Sequence, residues 1–217
     1  DNTSNLLTPA MVKYSSIVAK NLDEVNFKNG GANINYRHKF GKTGKEITVD
    51  GDYINYDTQT DQQYFNDTYS GDGTLTLQDL LTGHLPAKIN IYSLKSDYSQ
   101  NLGTTIKMDA GAKSSYIKTN NIASYFLTAN NATSPDYDKS NHFVYSENIS
   151  AAYLNLSSEG KKFSVQAGLR VEGTISKGHQ LGNVMKPDSS FKRSYINAFP
   201  TLYFSYKLDT TSTHQLG

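Results

Sequence analysis

Two sets of charged residues could do chemistry. Asp50, Asp52, Asp97, Asp109, Glu147 and Glu172 carry carboxylates, and Arg37, Lys39, Lys95, Lys107, Lys113 and Arg170 carry cations. Within short runs they fall at every second position, which puts them on one face of an extended strand. Two carboxylates meeting at one point can exchange protons with a substrate. Opposite charges spread along a face instead make a hydrated wall, and the mixture of signs here points to the wall. Thr68–Asp79 matches part of a calcium loop, with Asp72 fifth, Gly73 sixth and Asp79 twelfth. Thr68 and Ser70 are poor ligands for its first and third places, so the stretch reads as a polar turn. His84, His142 and His179 lack the spacing of a shared metal site. Zero Cys removes thiol chemistry, disulfides and zinc knuckles. The motifs of serine hydrolases, zinc proteases and phosphate loops are missing. The expectation is a non-enzymatic protein with no catalytic residue, cofactor or metal, and with ligand-contacting residues left open.

Composition narrows the class. Apolar residues make up 36% and charged residues 19% of 217, so uncharged polar side chains dominate. No apolar run approaches the ~18 residues of a membrane-spanning helix, and no heptad is sustained. A net charge of +1 argues against a nucleic-acid partner, and 12% aromatics argue against disorder. Five Asn-x-Ser/Thr sequons occur, at Asn2, Asn66, Asn131, Asn148 and Asn155. Chance alone supplies about four, so they carry no glycosylation reading.

The charged residues alternate with apolar ones over long runs, which predicts strands. Ala32, Ile34, Tyr36 and Phe40 share one face, as do Ile47, Val49, Gly51 and Tyr53. So do Tyr92, Leu94 and Tyr98, and then Ile106, Met108, Ala110, Ala112 and Tyr116. Ile149, Ala151 and Tyr153 read as an apolar face against Ser150 and Ala152. Phe163, Val165, Ala167, Leu169 and Val171 form the cleanest run, followed by Ile196, Ala198, Pro200, Leu202 and Phe204. Pro200 is expected to force a bulge or bend.

Seven connections alternate short and long. The short ones fall at 41–44, 100–103, 157–160 and 209–212, and the long ones at about 57–87, 119–141 and 176–194. All short turns at one end and all long loops at the other is the pattern of an outer-membrane barrel. Tyr36, Phe40, Tyr53, Tyr56, Tyr98, Tyr116, Phe163, Tyr203, Phe204 and Tyr206 lie near run ends, where interfacial girdles would sit. The expected fold is all-β: a segment of an antiparallel up-and-down transmembrane barrel over 1–217, with about eight long strands and a loop or poorly defined lead-in over 1–30. Asp1 opens the chain without a leader, and His214-Gln215-Leu216 reads as the start of a strand, so a longer parent protein is expected.

Asn141–Thr174 resembles the barrel of TonB-dependent-receptor-like outer-membrane proteins of the Bacteroidetes. The resemblance rests on Glu147, Ala151 and Tyr153, the turn at Gly160, and Gly168-Leu169-Arg170 with Glu172. Ala198-Phe199-Pro200-Thr201-Leu202 is similar to that family's Phe-Pro-Ser-Leu strand, with Thr201 for Ser, and Ser96-Asp97-Tyr98 to its Asp-Tyr strand end. The resemblance implies a barrel of about 22 strands around an N-terminal plug, of which this segment supplies about eight. It further implies localisation in the outer membrane of a Gram-negative cell and coupling to a TonB complex. The activity implied is uptake of a scarce nutrient such as a siderophore, glycan or peptide. The implied partners are outer-membrane lipid, the protein's own plug and an unknown extracellular ligand. Tyr64, Phe65 and Tyr69 are the ligand-contact candidates by position. Two rivals stay open: a secreted β-sandwich for binding or adhesion, and an outer-membrane barrel with no TonB role.

Overall fold

The computed structural model describes residues 2–41, 44–207 and 213–216. The predicted turn residues Lys42 and Thr43, and the predicted turn at 209–212, lie outside them. Ten strands form one antiparallel sheet: β1 (Asn2–Leu7), β2 (Lys13–Phe40), β3 (Lys45–Ser70), β4 (Leu75–Leu102), β5 (Ile106–Ala129), β6 (Ala132–Pro135), β7 (Asn141–Glu159), β8 (Phe163–Leu181), β9 (Ser189–Lys207) and β10 (Thr213–Leu216). Their order in the sheet follows the chain, with the short β6 folded back on β5 alone. Among the described residues β1 and β10 are edges and do not pair with each other. Among the described residues all strands lie in one sheet, and none packs on it as the second layer of a sandwich.

The strands are far longer than the runs of alternation. β2 and β4 each have 28 residues, β3 has 26 and β5 has 24. The three expected long loops are therefore corrected. The 57–87 stretch is the upper part of β3 and β4, joined by a turn at 71–74. The 119–141 stretch is mostly strand, closed by Asn130 and Asn131 with φ of 52° and 61°, the two left-handed positions of a tight hairpin turn. The 176–194 stretch keeps a short connection at 182–188 only. The expected lead-in over 1–30 is β1 and more than half of β2. The two ends of the sheet still differ, because the strands overhang unequally rather than because the loops do.

Pairing partners share a face, so the registers assign every side chain. One face carries Ile34, Tyr36, Val49, Leu94, Ala112, Leu154, Leu169, Val171 and Leu202. The other carries all twelve charged residues named above. The polar face is crowded. Ala151, Thr174 and Ser176 are buried on it, and an added Cβ at Gly111 would come within 2.5 Å of the Tyr153 ring. The apolar face is open: Ile34 and Ile196 are each 76% exposed, and nothing lies near Gly51. Crowding on one side and space on the other make the polar face concave.

β7 corrects its predicted phase. Ala152 pairs with Val171 and Leu154 with Leu169, so Ser150, Ala152, Leu154 and Leu156 lie on the apolar face. Ile149, Ala151 and Tyr153 lie on the polar one. The register follows Leu154 and Leu156, which a shift of one residue would turn into the polar interior.

Pro200 causes no bulge. It faces Leu169 in an unbroken β8–β9 register. The Lys207 amide donates to Lys162 O of the β8 side at 2.8 Å, so odd-numbered amides of β9 face β8 and the Pro200 nitrogen points away from it. No ladder bond to β8 is lost. Pro86 does disturb its ladder. The β4–β5 partners skip Leu85 and Pro86 and resume at Ala87 in the same register.

Candidate functional site

A row of tyrosines crosses the apolar face. Tyr53 faces Tyr92, and Tyr92 faces Tyr116, with ring centroids 5.0 and 6.4 Å apart. The Tyr53 hydroxyl donates to Asn90 Oδ1 at 3.1 Å, on the side of the long overhang. Near the other end Phe163 packs on Phe204 and Tyr206 at 5.8 and 4.8 Å. Between Tyr92 and Leu102 the apolar face of β4 runs ten residues, about 33 Å of strand. Tilted by about 40°, that is a band about 25 Å tall, the height of the lipid-facing belt of an outer-membrane barrel. Of the predicted girdle residues, Tyr56 and Tyr203 are corrected, because their registers turn them to the concave side.

Below the tyrosine row the concave face is a charged wall. Arg37 Nε meets Glu46 at 2.8 Å, Lys95 meets Asp97 at 2.5 Å, Lys107 meets Asp109 at 2.9 Å, and Arg170 meets Glu172 at 2.6 Å. Asn33 donates to Asp52 at 2.6 Å, and Asn35 donates to Asp50. Partly exposed pairs contribute only about 0.2–1 kcal/mol each. Their main effect is to cancel charge along a wet wall. Asp50, Asp52, Asp97, Asp109 and Glu172 are each matched to a cation or an amide, and Glu147 accepts the Tyr145 hydroxyl. Among the described residues none is paired with a second carboxylate for acid–base work.

At the tyrosine row the two faces exchange character. Ile54, Ile91 and Ile117 each neighbour a row tyrosine in sequence, and they form a row of their own on the concave face. Above them that face carries Phe27, Tyr56, Tyr64, Leu85, Ile89 and Tyr125, and Phe27 stacks on Tyr56 at 6.1 Å. The opposite face now carries Asn55, Asp57, Gln59, Asp61, His84 and Lys88. Lys88 pairs with Asp57 at 3.3 Å and His84 with Asp61 at 2.6 Å. The physical reason is the change of surroundings. Apolar side chains face outward where the outside is lipid and inward where the outside is water. The strands continue about 55 Å beyond the row in β3, from Ile54 to Ser70. The long hairpins thus line one side of an aromatic and aliphatic vestibule above the charged wall.

Tyr125 shows how the vestibule wall is built. Gly83 is buried between Gln62 and Tyr125, and an added Cβ would meet the Tyr125 ring at 2.6 Å. The ring lies across the glycine, and its hydroxyl donates to Gln62 Oε1 at 3.0 Å. Tyr153 repeats this arrangement lower down, crossing Gly111 to donate to Asp97. Of the ligand-contact candidates, Tyr64 faces the vestibule, and burial raises its hydroxyl pKa above the ordinary value. Phe65 and Tyr69 face outward. Phe27, Tyr56, Ile89 and Tyr125 were not among the candidates. Their signal was the shift of alternation at Tyr53-Ile54, Ile91-Tyr92 and Tyr116-Ile117.

The calcium-loop match is spread along a hairpin. Ser70–Thr74 is a hairpin tip in which Gly73 has φ of 88°. The Ser70 hydroxyl and the Thr74 amide both donate to Asp72, and these bonds hold its carboxyl pKa down at about 2. Asp79 takes the Asn66 amide at 2.8 Å on β4. The three histidines sit on different strands, His84 beside Asp61, His142 beside Asn120 at 2.7 Å and His179 beside Asp188 at 3.2 Å. Among the described residues no three potential ligands gather for a metal.

A sheet with a 25 Å outward apolar belt, aromatic rims and a charged concave wall defines an outer-membrane β-barrel. The sequence comparison agrees: the chain belongs to the outer membrane protein beta-barrel family, whose model matches residues 38–217. Its place is the outer membrane. No curated protein matches the chain. Among solved structures it is similar to the ferric yersiniabactin uptake receptor FyuA of Yersinia pestis, at 13% identity and a TM-score of 0.51, over 96% of this chain and 42% of that one. The siderophore receptor PiuA of Acinetobacter baumannii matches at 10% identity and a TM-score of 0.45, over 95% and 46%. The ferric citrate transporter FecA matches at 14% identity and a TM-score of 0.44, over 77% and 26%. The chain spans less than half the length of each.

Proposed function

We propose that the chain is the part of a TonB-dependent uptake receptor, of the Bacteroidetes type, that forms one wall of its barrel and of its ligand vestibule. The carrying observation is the reversal of faces at the tyrosine row, which puts Phe27, Tyr56, Ile89 and Tyr125 around an outward-opening cup above a charged lumen. Burying apolar surface there is worth about 25 cal/mol per Å², enough to hold a nutrient with an apolar or aromatic surface. Further strands would complete the barrel beyond 1–217, with the protein's own plug against the charged wall. The role is capture and translocation, not catalysis. The fold shared with FyuA supports the barrel, and that protein's uptake of ferric yersiniabactin is the precedent for the activity. The test measures depletion of iron chelates, glycans and peptides from the medium by cells with and without the full-length gene, each with and without TonB. Loss of uptake of one nutrient class in both deletions is the expected result. The replacements Tyr56→Ser and Ile89→Ser should weaken that uptake at unchanged protein level. Uptake indifferent to TonB would leave a passive barrel as the reading.

A further inference from the structure

Immediately above the membrane belt, the outward face carries a lateral row of lysines. Lys118 of β5 faces Ser146 of β7, Ser146 faces Lys177 of β8, and Lys177 faces Lys192 of β9. Lys118 stands two residues above the row tyrosine Tyr116. At about 4.8 Å per strand, the three positions span about 15 Å. All three side chains are exposed. Among the described residues none of them has an ion pair, although ten other pairs form elsewhere. Their neighbours on the same face, among them Asn90, Asn148, Ile175, His179, Ser190 and Ser194, are not acidic, and the Asp188 carboxylate that reaches this face is held by His179 at 3.2 Å. Glu147, the nearest carboxylate along β7, points to the concave side and accepts the Tyr145 hydroxyl at 2.7 Å. Two lysines directly opposite each other, such as Lys177 and Lys192, repel and destabilise a sheet. A local rule broken without visible compensation marks a site whose partner comes from outside.

The surface below the lysines suits a lipid. Ser114, Ser150 and Gly173 form the row beneath the tyrosine level, and Ala112 and Ala152 the next, ending on Val171. These small side chains leave a shallow trough on the lipid-facing belt, closed below by Leu154 and Leu169. We propose that Lys118, Lys177 and Lys192 bind the phosphate groups of an anionic lipid of the outer leaflet, with its acyl chains lying in this trough. Ammonium groups act as point charges for phosphate, and their height matches the headgroups. A free phosphate would gain the charges but not the trough, so the lipid is the source that the geometry selects.

The test uses the full-length protein, purified in detergent and mixed with a bisphosphorylated glycolipid, its dephosphorylated form or phosphatidylcholine. Native mass spectrometry counts the lipid retained. The wild type should hold the bisphosphorylated lipid and release the other two. At about 1 kcal/mol per lysine near an anionic surface, each lysine is worth about fivefold and the three together about a hundredfold. The triple variant K118S/K177S/K192S should therefore lose about a hundredfold in retention, while the triple arginine variant keeps it. K161S/K162S, at the opposite rim, should keep it too. A folded, heat-modifiable gel band checks each variant. Equal retention by the serine triple, or of the dephosphorylated lipid, overturns the proposal. So does displacement of the lipid by equimolar inorganic pyrophosphate, which would make the row a free-phosphate site.

Discussion

Glycine decides more on the concave face than any charged residue does. Gly111 lets the Tyr153 ring cross β5 to reach Asp97, and Gly83 lets Tyr125 cross β4 to reach Gln62. A side chain at either place must push a ring off its acceptor. Gly111→Val should destabilise the folded barrel by about 1–3 kcal/mol, an overpacking cost. Gly51→Ala, facing open space outward, should stay within about 0.5 kcal/mol. Urea titration of the folded gel band reads both, and equal effects would contradict the assignment of faces. At the hairpin tip, hydrogen bonds hold the carboxyl pKa of Asp72 below the ordinary carboxylate range, at about 2. Its bonds to Ser70 and Thr74 therefore support the turn above the ordinary carboxylate range and are lost as pH falls through about 2. Hydrogen exchange at the Thr74 amide should be slow at pH 5 and fast near pH 2, beyond the intrinsic pH dependence of exchange. Asp72→Asn should remove that transition.

Each long strand is two elements joined without a break. In β3 the apolar positions are odd up to Tyr53 and even at Ile54, Tyr56 and Tyr64, with Phe65 and Tyr69 outward near the tip, and in β4 the change falls between Ile91 and Tyr92. The backbone continues because its ladder partners continue on both sides. Only the medium outside changes. The chain has no cysteine, so single replacements report this directly. In intact cells, Asp57→Cys should react with a bulky water-soluble maleimide at the outer surface. Leu94→Cys, on the same face but in the belt, should be silent. Leu169→Arg within the belt should cost about 2–4 kcal/mol, and Tyr92→Arg at its edge about 0–1 kcal/mol. Reaction of Leu94→Cys at the rate of Asp57→Cys would refute the reversal.

At the scale of the molecule, among the described residues, the sheet has β1 and β10 at its edges and one lipid-facing surface. An unclosed sheet in lipid leaves backbone groups unpaired at a cost of several kcal/mol for each group. Residues 1–217 refolded alone in detergent should therefore give no compact, heat-modifiable band, whereas the full-length protein should. A compact band from the isolated segment would mean that it closes on itself. The order of surfaces along the barrel axis also has a functional meaning. On the proposed reading, ligand meets an aromatic cup first and a charge-paired wall second, while lipid meets an aliphatic belt topped by lysines.

Alternation and the inequality of the two ends were legible in the chain itself, because a two-residue period needs only local information. That was sufficient for an antiparallel barrel segment, for its apolar belt at Phe163–Val171 and for the charged wall. The phase of β7 was not, since Ile149, Ala151 and Tyr153 are as apolar as Leu154 and Leu156, and only pairing with Leu169 and Val171 selects between the two faces. The stretches expected as loops were polar by composition, yet most of their ladder partners lie more than ten residues away, which local composition does not reveal. The vestibule depends most on tertiary structure. A shift of phase between Tyr53 and Ile54 looks like a strand end in one dimension. It becomes a change of environment only when Tyr92 and Tyr116 line up beside it at the same height.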